Sequence, residues 1–182
     1  EYLDRLSRAM QLVFADRARY IADPRFVRVP LCKLIDKGYA AELRGKIEDG
    51  TDLDEPDAIS VGASGTTHLS VVDQNGNAVS MTHTLGTASG VVTPGLGFLY
   101  NNDMGAFDPV PNAKNSIAPG KTPVNGGAPT ILLRDGKVAM VIGSPAGGRK
   151  LTAELQAILN VVEFGMGMQE AVSAERVHSE KV

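Results

Sequence analysis

The sequence predicts an α+β fold, a layered arrangement of antiparallel strands with helices on a face. Three observations predict it. Apolar residues recur at helical spacing near the start of the chain, change to a period of two at Thr66, and return to helical spacing after Gly148. Two turn-forming runs, Asp73-Gln74-Asn75-Gly76-Asn77 and Arg134-Asp135-Gly136-Lys137, each separate two β-patterned segments. Hairpins followed by helices, rather than strictly alternating strands and helices, favour segregated layers over a parallel sheet.

Each element has a local reason. Residues 2–21 form an amphipathic helix with Leu3, Leu6, Met10, Val13 and Phe14 on one stripe, and Pro24 ends it. Residues 31–47 form a second helical region, with Leu34, Ile35, Tyr39, Leu43 and Ile47 on one side and Gly38 as its break. From Glu48 to Gly65 the composition shifts to six acidic residues, three glycines and Pro56, which reads as an acidic flexible linker. Thr67, Leu69 and Val71 then alternate with His68, Ser70 and Val72, and Ala78 to Leu85 is the return strand. A short strand is expected at Gly97–Asn101, and a long Pro/Gly/Asn-rich loop over 105–127. Pro129–Leu133 and Val138–Ile142 form the second hairpin. A helix carrying Leu151, Leu155, Ile158, Leu159 and Val162 follows, then a last helical stretch at Met168–Ala174. Three regions result: 1–47 helical, 48–65 linker, and 66–182 a region of hairpins and helices.

Composition excludes several classes. The 182 residues are 43% hydrophobic and 21% charged, as in globular domains, so wholesale disorder is excluded. A net charge of −3 with no basic stripe argues against a nucleic-acid partner. No apolar run approaches the roughly 20 residues of a membrane-crossing helix. Cys32 is the one cysteine; it cannot form an internal disulfide or a cysteine metal cluster, and reads as a buried thiol. The chain opens at Glu1 inside a helical pattern and reads as a piece of a longer polypeptide, which predicts some exposed strand edges or apolar helix faces.

His68, His83 and His178 lack zinc-site spacing, so no metal is expected. His68 and His83 are expected to face each other across the first hairpin in a hydrogen-bonding role. Hydroxyls are dense where the linker becomes a strand: Ser64-Gly65-Thr66-Thr67, with Thr82 and Thr84 two apart on the return strand. Such threonines are also ordinary strand composition. The Gly65-Thr66 junction allows a second reading. A threonine freed as an N-terminus carries its own α-amine as general base, and Gly65 permits a strained backbone before it. The glycine-rich turn Gly143 to Gly148 is either a tight strand–helix connection or a set of backbone N–H groups suited to an oxyanion.

Several segments carry a resemblance: Thr66-Thr67-His68-Leu69-Ser70-Val71-Val72-Asp73 with Gly76-Asn77-Ala78-Val79-Ser80; Leu99-Tyr100-Asn101-Asn102 and Met104; Ala128-Pro129-Thr130; Gly143-Ser144-Pro145 with Gly147-Gly148-Arg149; and Phe14-Ala15-Asp16-Arg17. In order, and over nearly the whole chain, they resemble the gamma-glutamyltranspeptidase family, from the end of its large subunit through most of its small subunit. The resemblance implies an N-terminal nucleophile hydrolase fold, an αββα layered sandwich incomplete in this chain. It also implies a proenzyme cut between Gly65 and Thr66, which then transfers a γ-glutamyl group from glutathione-type donors through an acyl-enzyme. By position, Thr66 is the nucleophile, Thr84 its hydrogen-bond partner, and Ala146 with Gly147 the oxyanion pair. No cofactor is implied. The implied partners are a small amide substrate and an upstream large-subunit segment. Family members are often periplasmic or extracellular.

The substrate-binding positions depart from the family. Gly86 stands for an asparagine, Asp103 for a glutamine, Ala106 for the aspartate that holds the donor ammonium, and Asn125-Gly126 for paired serines that hold its carboxylate. An ammonium facing alanine instead of a carboxylate loses roughly 2–5 kcal/mol. The alternatives are therefore a hydrolase of a non-glutamyl amide, cephalosporin acylase-like or oxamate amidohydrolase-like, or a catalytically silent fragment.

Overall fold

A computed structural model describes residues 1–50, 65–145 and 147–180. Most of the expected linker, and Ala146, lie outside the described residues. The chain divides into two units.

The first unit holds α1 (Tyr2–Tyr20), α2 (Leu31–Leu34) and α3 (Lys37–Glu48), with Phe107–Val124 and the segment from Val177. On α1 the buried line is Leu6, Met10 and Phe14, spaced by four, with Leu12 beside it. Leu3 and Val13, expected on that stripe, are exposed at its flanks. The break in the second helical region falls at Ile35–Asp36, not at Gly38. Asp36 caps α3 by accepting the Tyr39 N–H at 2.9 Å, and Gly38 lies inside the first turn. Ile35 sits at this break and is exposed. Cys32 is exposed rather than buried, because α2 is one turn long and buries none of its residues.

α1 and α3 are joined by the Tyr39 hydroxyl, 3.0 and 2.9 Å from the two Asp16 carboxylate oxygens. Burial first, then that carboxylate, pushes the Tyr39 phenol up to about 12. A second tie runs through Asp23, whose side chain is almost wholly buried. It accepts from Arg25 Nε and Nη2 at 3.0 and 2.6 Å and from the Thr122 backbone N–H at 2.7 Å. Those bonds hold its carboxyl well below the usual carboxylate range.

The second unit contains β1 (Thr66–Val72), β2 (Ala78–Thr84), β3 (Thr130–Arg134), β4 (Lys137–Ile142), α4 (Arg149–Val162) and α5 (Met168–Ser173). Its strands form two separate antiparallel hairpins, β1–β2 and β3–β4. The α+β class stands. Gly97–Asn101 supplies only a single bridge, Val92 to Leu99, instead of a strand. In the first turn Asp73 accepts the backbone N–H of Asn75 and Asn77 at 2.9 and 2.8 Å, which explains the Asp-x-Asn-Gly-Asn run. In the second, Asp135 and Gly136 both have positive φ (52° and 74°), as a two-residue hairpin turn requires.

The period of two sorts the first hairpin into two faces. Thr66, His68, Ser80, Thr82 and Thr84 lie on the more covered face. Leu69, Val71, Val79 and Met81 lie outward and are exposed, as are Leu155 and Val162 of α4. The hydroxyl-bearing face is thus the one the second hairpin covers. Ser70 Oγ donates to the Val141 carbonyl at 3.3 Å, and Ser80 Oγ to the Ile142 carbonyl at 3.0 Å.

Candidate active site

β1 and β2 are in register so that Thr66 pairs with Thr84 and His68 with Thr82. This pairing brings the Thr66 and Thr84 hydroxyl oxygens to 2.8 Å, with Thr66 part-buried. Thr84 Oγ1 also accepts the Gly86 N–H at 2.9 Å, so its position is set from the backbone side.

Gly65 precedes Thr66 with φ +96°. A Cβ there would stand 2.8 Å from the Gly86 carbonyl oxygen, so glycine is required by both conformation and space. The Gly65 carbonyl accepts the Leu85 N–H at 3.1 Å. Gly86 is equally constrained: φ is +60°, and a Cβ would meet Asn102 Oδ1 at 2.1 Å. That Asn102 oxygen accepts the Thr87 N–H at 2.9 Å, and the Asn102 N–H donates to the Leu85 carbonyl at 3.1 Å. Asn101-Asn102 is therefore docked against the end of β2. Asp103 opens a short 3-10 turn, Asp103–Ala106, immediately after it.

The glycine-rich turn lies over the same hairpin face. A Cβ on Gly143 would stand 2.2 Å from His68 Cε1, so the turn leaves β4 in contact with the imidazole. His68 and His83 do not face each other. His83 pairs with Thr67, and strand alternation puts it on the opposite face. The His68 ring lies 2.8 Å (Nδ1) from Thr82 Oγ1 and 3.0 Å (Nε2) from Ser70 Oγ. Ser70 spends its proton on the Val141 carbonyl, so it accepts from the His68 Nε2–H.

Beyond Gly143 the turn is tied to α4. Glu154 Oε1 accepts the Ser144 N–H at 2.7 Å and the Ser144 hydroxyl at 3.2 Å. Burial raises the Glu154 carboxyl above its ordinary range, against the lowering effect of Ser144, His68 and Lys150. Gly147 has φ +53°. Ala146, its expected partner in an oxyanion pair, lies outside the described residues.

The Asn125-Gly126 pair reaches this turn too. Asn125 Oδ1 accepts the Gly127 N–H at 2.7 Å, turning the chain. A Cβ on Gly126 would lie 3.8 Å from the Gly147 carbonyl oxygen and 3.5 Å from Lys150 Cε. Thr66, Thr84 and Gly86 thus form one cluster, Gly126 and Gly147 another, and the contact of Gly143 with the His68 ring links the turn to the strand that carries Thr66. Sequence reasoning did not single out Glu154 or Lys150. Their signal was a pair of opposite charges four residues apart at the start of α4.

The gamma-glutamyltranspeptidase family model matches residues 1–182. The chain is 42% identical over 188 residues to a glutathione hydrolase proenzyme of Pseudomonas sp. (strain A14), covering 94% of this chain and 33% of that relative. It is 43% identical over 182 residues to an acylase ACY 1 proenzyme of Pseudomonas sp. (strain SE83), covering 96% and 32%. The crystal structure of cephalosporin acylase from Bacillus halodurans superimposes with a TM-score of 0.77 at 26% identity, over 96% of this chain and 32% of that one. The chain spans about a third of the length of these relatives. On the family match and these identities, the chain belongs to the gamma-glutamyltranspeptidase family.

Proposed function

We propose that this chain carries the nucleophile of a self-cleaving, threonine-type amidohydrolase or acyltransferase. The observation that carries the reading is the Thr66–Thr84 hydroxyl pair at 2.8 Å, directly after a glycine with φ +96°. In maturation Thr66 Oγ1 attacks the Gly65 carbonyl carbon, with Thr84 as its proton relay. The Leu85 N–H, already on the Gly65 carbonyl, stabilises the oxyanion that forms. The C–N bond then breaks, the Thr66 nitrogen takes the proton, and an ester links Gly65 to the Thr66 oxygen. Water hydrolyses that ester, which leaves a Gly65 carboxylate and a free Thr66 amine.

In turnover the free amine takes the Thr66 hydroxyl proton as the oxygen attacks an amide carbonyl. The leaving amine departs protonated, and water or an acceptor amine releases the acyl group. The N–H groups of Ala146 and Gly147 are assigned to the oxyanion, and the Glu154–Ser144 bonds hold their turn. In the complete protein further strands and helices would cover the exposed Leu69, Val71, Val79 and Met81 face, completing an αββα sandwich of the N-terminal nucleophile hydrolase type.

γ-Glutamyl transfer from glutathione-type donors is the family activity. A second reading, hydrolysis of a non-glutamyl amide, is favoured by Gly86, where the Asn102 side chain occupies the space a side chain would need. The acylase relatives support the same reading. The complete polypeptide should split at Gly65–Thr66. Thr66→Ala should remain uncut and inactive by intact mass and anilide assay, and Thr66→Ser should retain part of both. Cleavage in the alanine variant would sink the assignment. Ordinary turnover of a γ-glutamyl anilide by the parent would eliminate the second reading.

A further inference from the structure

Three successive residues leading into the glycine-rich turn are each held from the first hairpin. Ser70 Oγ donates to the Val141 carbonyl at 3.3 Å, and Ser80 Oγ to the Ile142 carbonyl at 3.0 Å. Gly143 follows, and it meets a ring instead of a hydroxyl. A side-chain carbon there would overlap Cε1, Nδ1 and Nε2 of His68. The imidazole fills the space of the missing side chain, so glycine is required at 143 by space and not by conformation.

The ring is fixed at both edges. Its Nδ1 lies 2.8 Å from Thr82 Oγ1 on β2, and its Nε2 lies 3.0 Å from Ser70 Oγ on β1. A side chain bonded at both nitrogens keeps one rotamer, and close packing passes its position on to the backbone it touches. His68 is two residues beyond Thr66, on the same face of β1. The next residue of the turn, Ser144, is gripped from the other side by Glu154.

Resting on the acyl-transfer reading above, we propose that His68 is a positioning residue for turnover: its ring, locked between Thr82 and Ser70 and seated against Gly143, fixes how far the Gly143–Gly148 turn stands from the Thr66 hydroxyl. The N–H groups of that turn serve the oxyanion of turnover. The oxyanion of self-cleavage is assigned to the Leu85 N–H, just beyond the end of β2. The two reactions therefore respond differently to loss of the spacer. Without the ring the turn settles toward the hairpin, and a misplacement of about 1 Å costs up to about 100-fold in rate.

The test uses the complete polypeptide and p-nitrophenyl acetate, whose acyl group needs no recognition, so the assay is independent of donor class. Thr66→Ala sets the background. His68→Ala should self-cleave within about twofold of the parent by intact mass, yet lose about 10–100-fold in kcat with KM little changed. His68→Gln, which can still reach Ser70, should recover part of kcat. Gly143→Ala puts a methyl into the space of the ring and should lose at least as much kcat as His68→Ala. The double variant His68→Ala/Gly143→Ala puts that methyl into vacated space and should turn over faster than Gly143→Ala alone, whereas independent effects would make it slower. If Gly143→Ala misfolds, the double variant should regain a cooperative melting curve.

A parent that cleaves and turns over while His68→Ala matches it in kcat overturns the spacer and leaves the acyl-transfer reading standing. An equal loss in cleavage and turnover, or a double variant no better than Gly143→Ala, does the same. A parent that neither cleaves nor releases p-nitrophenol above the Thr66→Ala background refutes the acyl-transfer reading and the spacer with it.

Discussion

At the scale of the residue, the hydroxyl pair is built from the backbone outward. Thr84 Oγ1 accepts from the Gly86 N–H, which leaves one proton to share with Thr66. Thr84→Ala removes that oxygen and strands both neighbours. Self-cleavage and turnover should each slow by about 10–100-fold, with a stability loss of about 1 kcal/mol. Thr84→Ser should restore most of the rate. A cleavage time course by intact mass, beside a melting curve, checks this; a rate equal to the parent's would remove Thr84 from the mechanism. Gly65 and Gly86 are not interchangeable with small residues here, since each combines a positive φ with a backbone or side-chain oxygen under 3 Å from any added Cβ.

At the scale of the element, α4 holds the glycine-rich turn. Its second turn carries Glu154, whose Oε1 grips Ser144. Glu154 is a positioning residue, because it acts on the turn rather than on the substrate. Glu154→Ala should leave Ser144 unpaired, loosen the turn, and lower kcat about tenfold with little change in KM. Glu154→Gln keeps an acceptor oxygen and should recover most of kcat. Steady-state kinetics on the three forms decides it: an alanine effect confined to KM, or no rescue by glutamine, argues against positioning. The element boundaries follow the same local logic. α3 starts where Asp36 can cap it, and the second hairpin turns where Asp135-Gly136 tolerates two left-handed residues.

At the scale of the whole molecule, pH should act on the first unit through Asp23. Its folded carboxyl lies below the unfolded reference of 3.8, held down first by Arg25 and then by the Thr122 N–H. A group depressed on folding contributes stability that is fully present above its unfolded value. That contribution is lost as pH falls from about 4 through the folded value. Melting temperature should therefore drop below about pH 4, and Asp23→Asn should be less stable at neutral pH with a shallower acid slope. An identical acid slope in the variant would show that other groups carry the transition.

The sequence alone determined the kinds of element and the two hairpin turns, because periodicity and turn chemistry are local; the Thr66–Thr84 pair it offered only through the family resemblance. It also singled out the Gly65-Thr66 junction and the Gly143–Gly148 turn, since glycine spacing is visible without a fold. Only the tertiary structure decided which face of the first hairpin is covered, because alternation defines two faces without saying what lies against either. It likewise placed His68 and His83 on opposite faces, exposed Cys32 on a one-turn helix, and brought Lys150 to Gly126 and Glu154 to Ser144. The Lys150–Gly126 contact joins residues 24 apart in the chain, and Glu154 reaches Ser144 from the second turn of the next helix. Their meaning is set by burial and by which polar atoms find partners, and both are properties of packing rather than of composition.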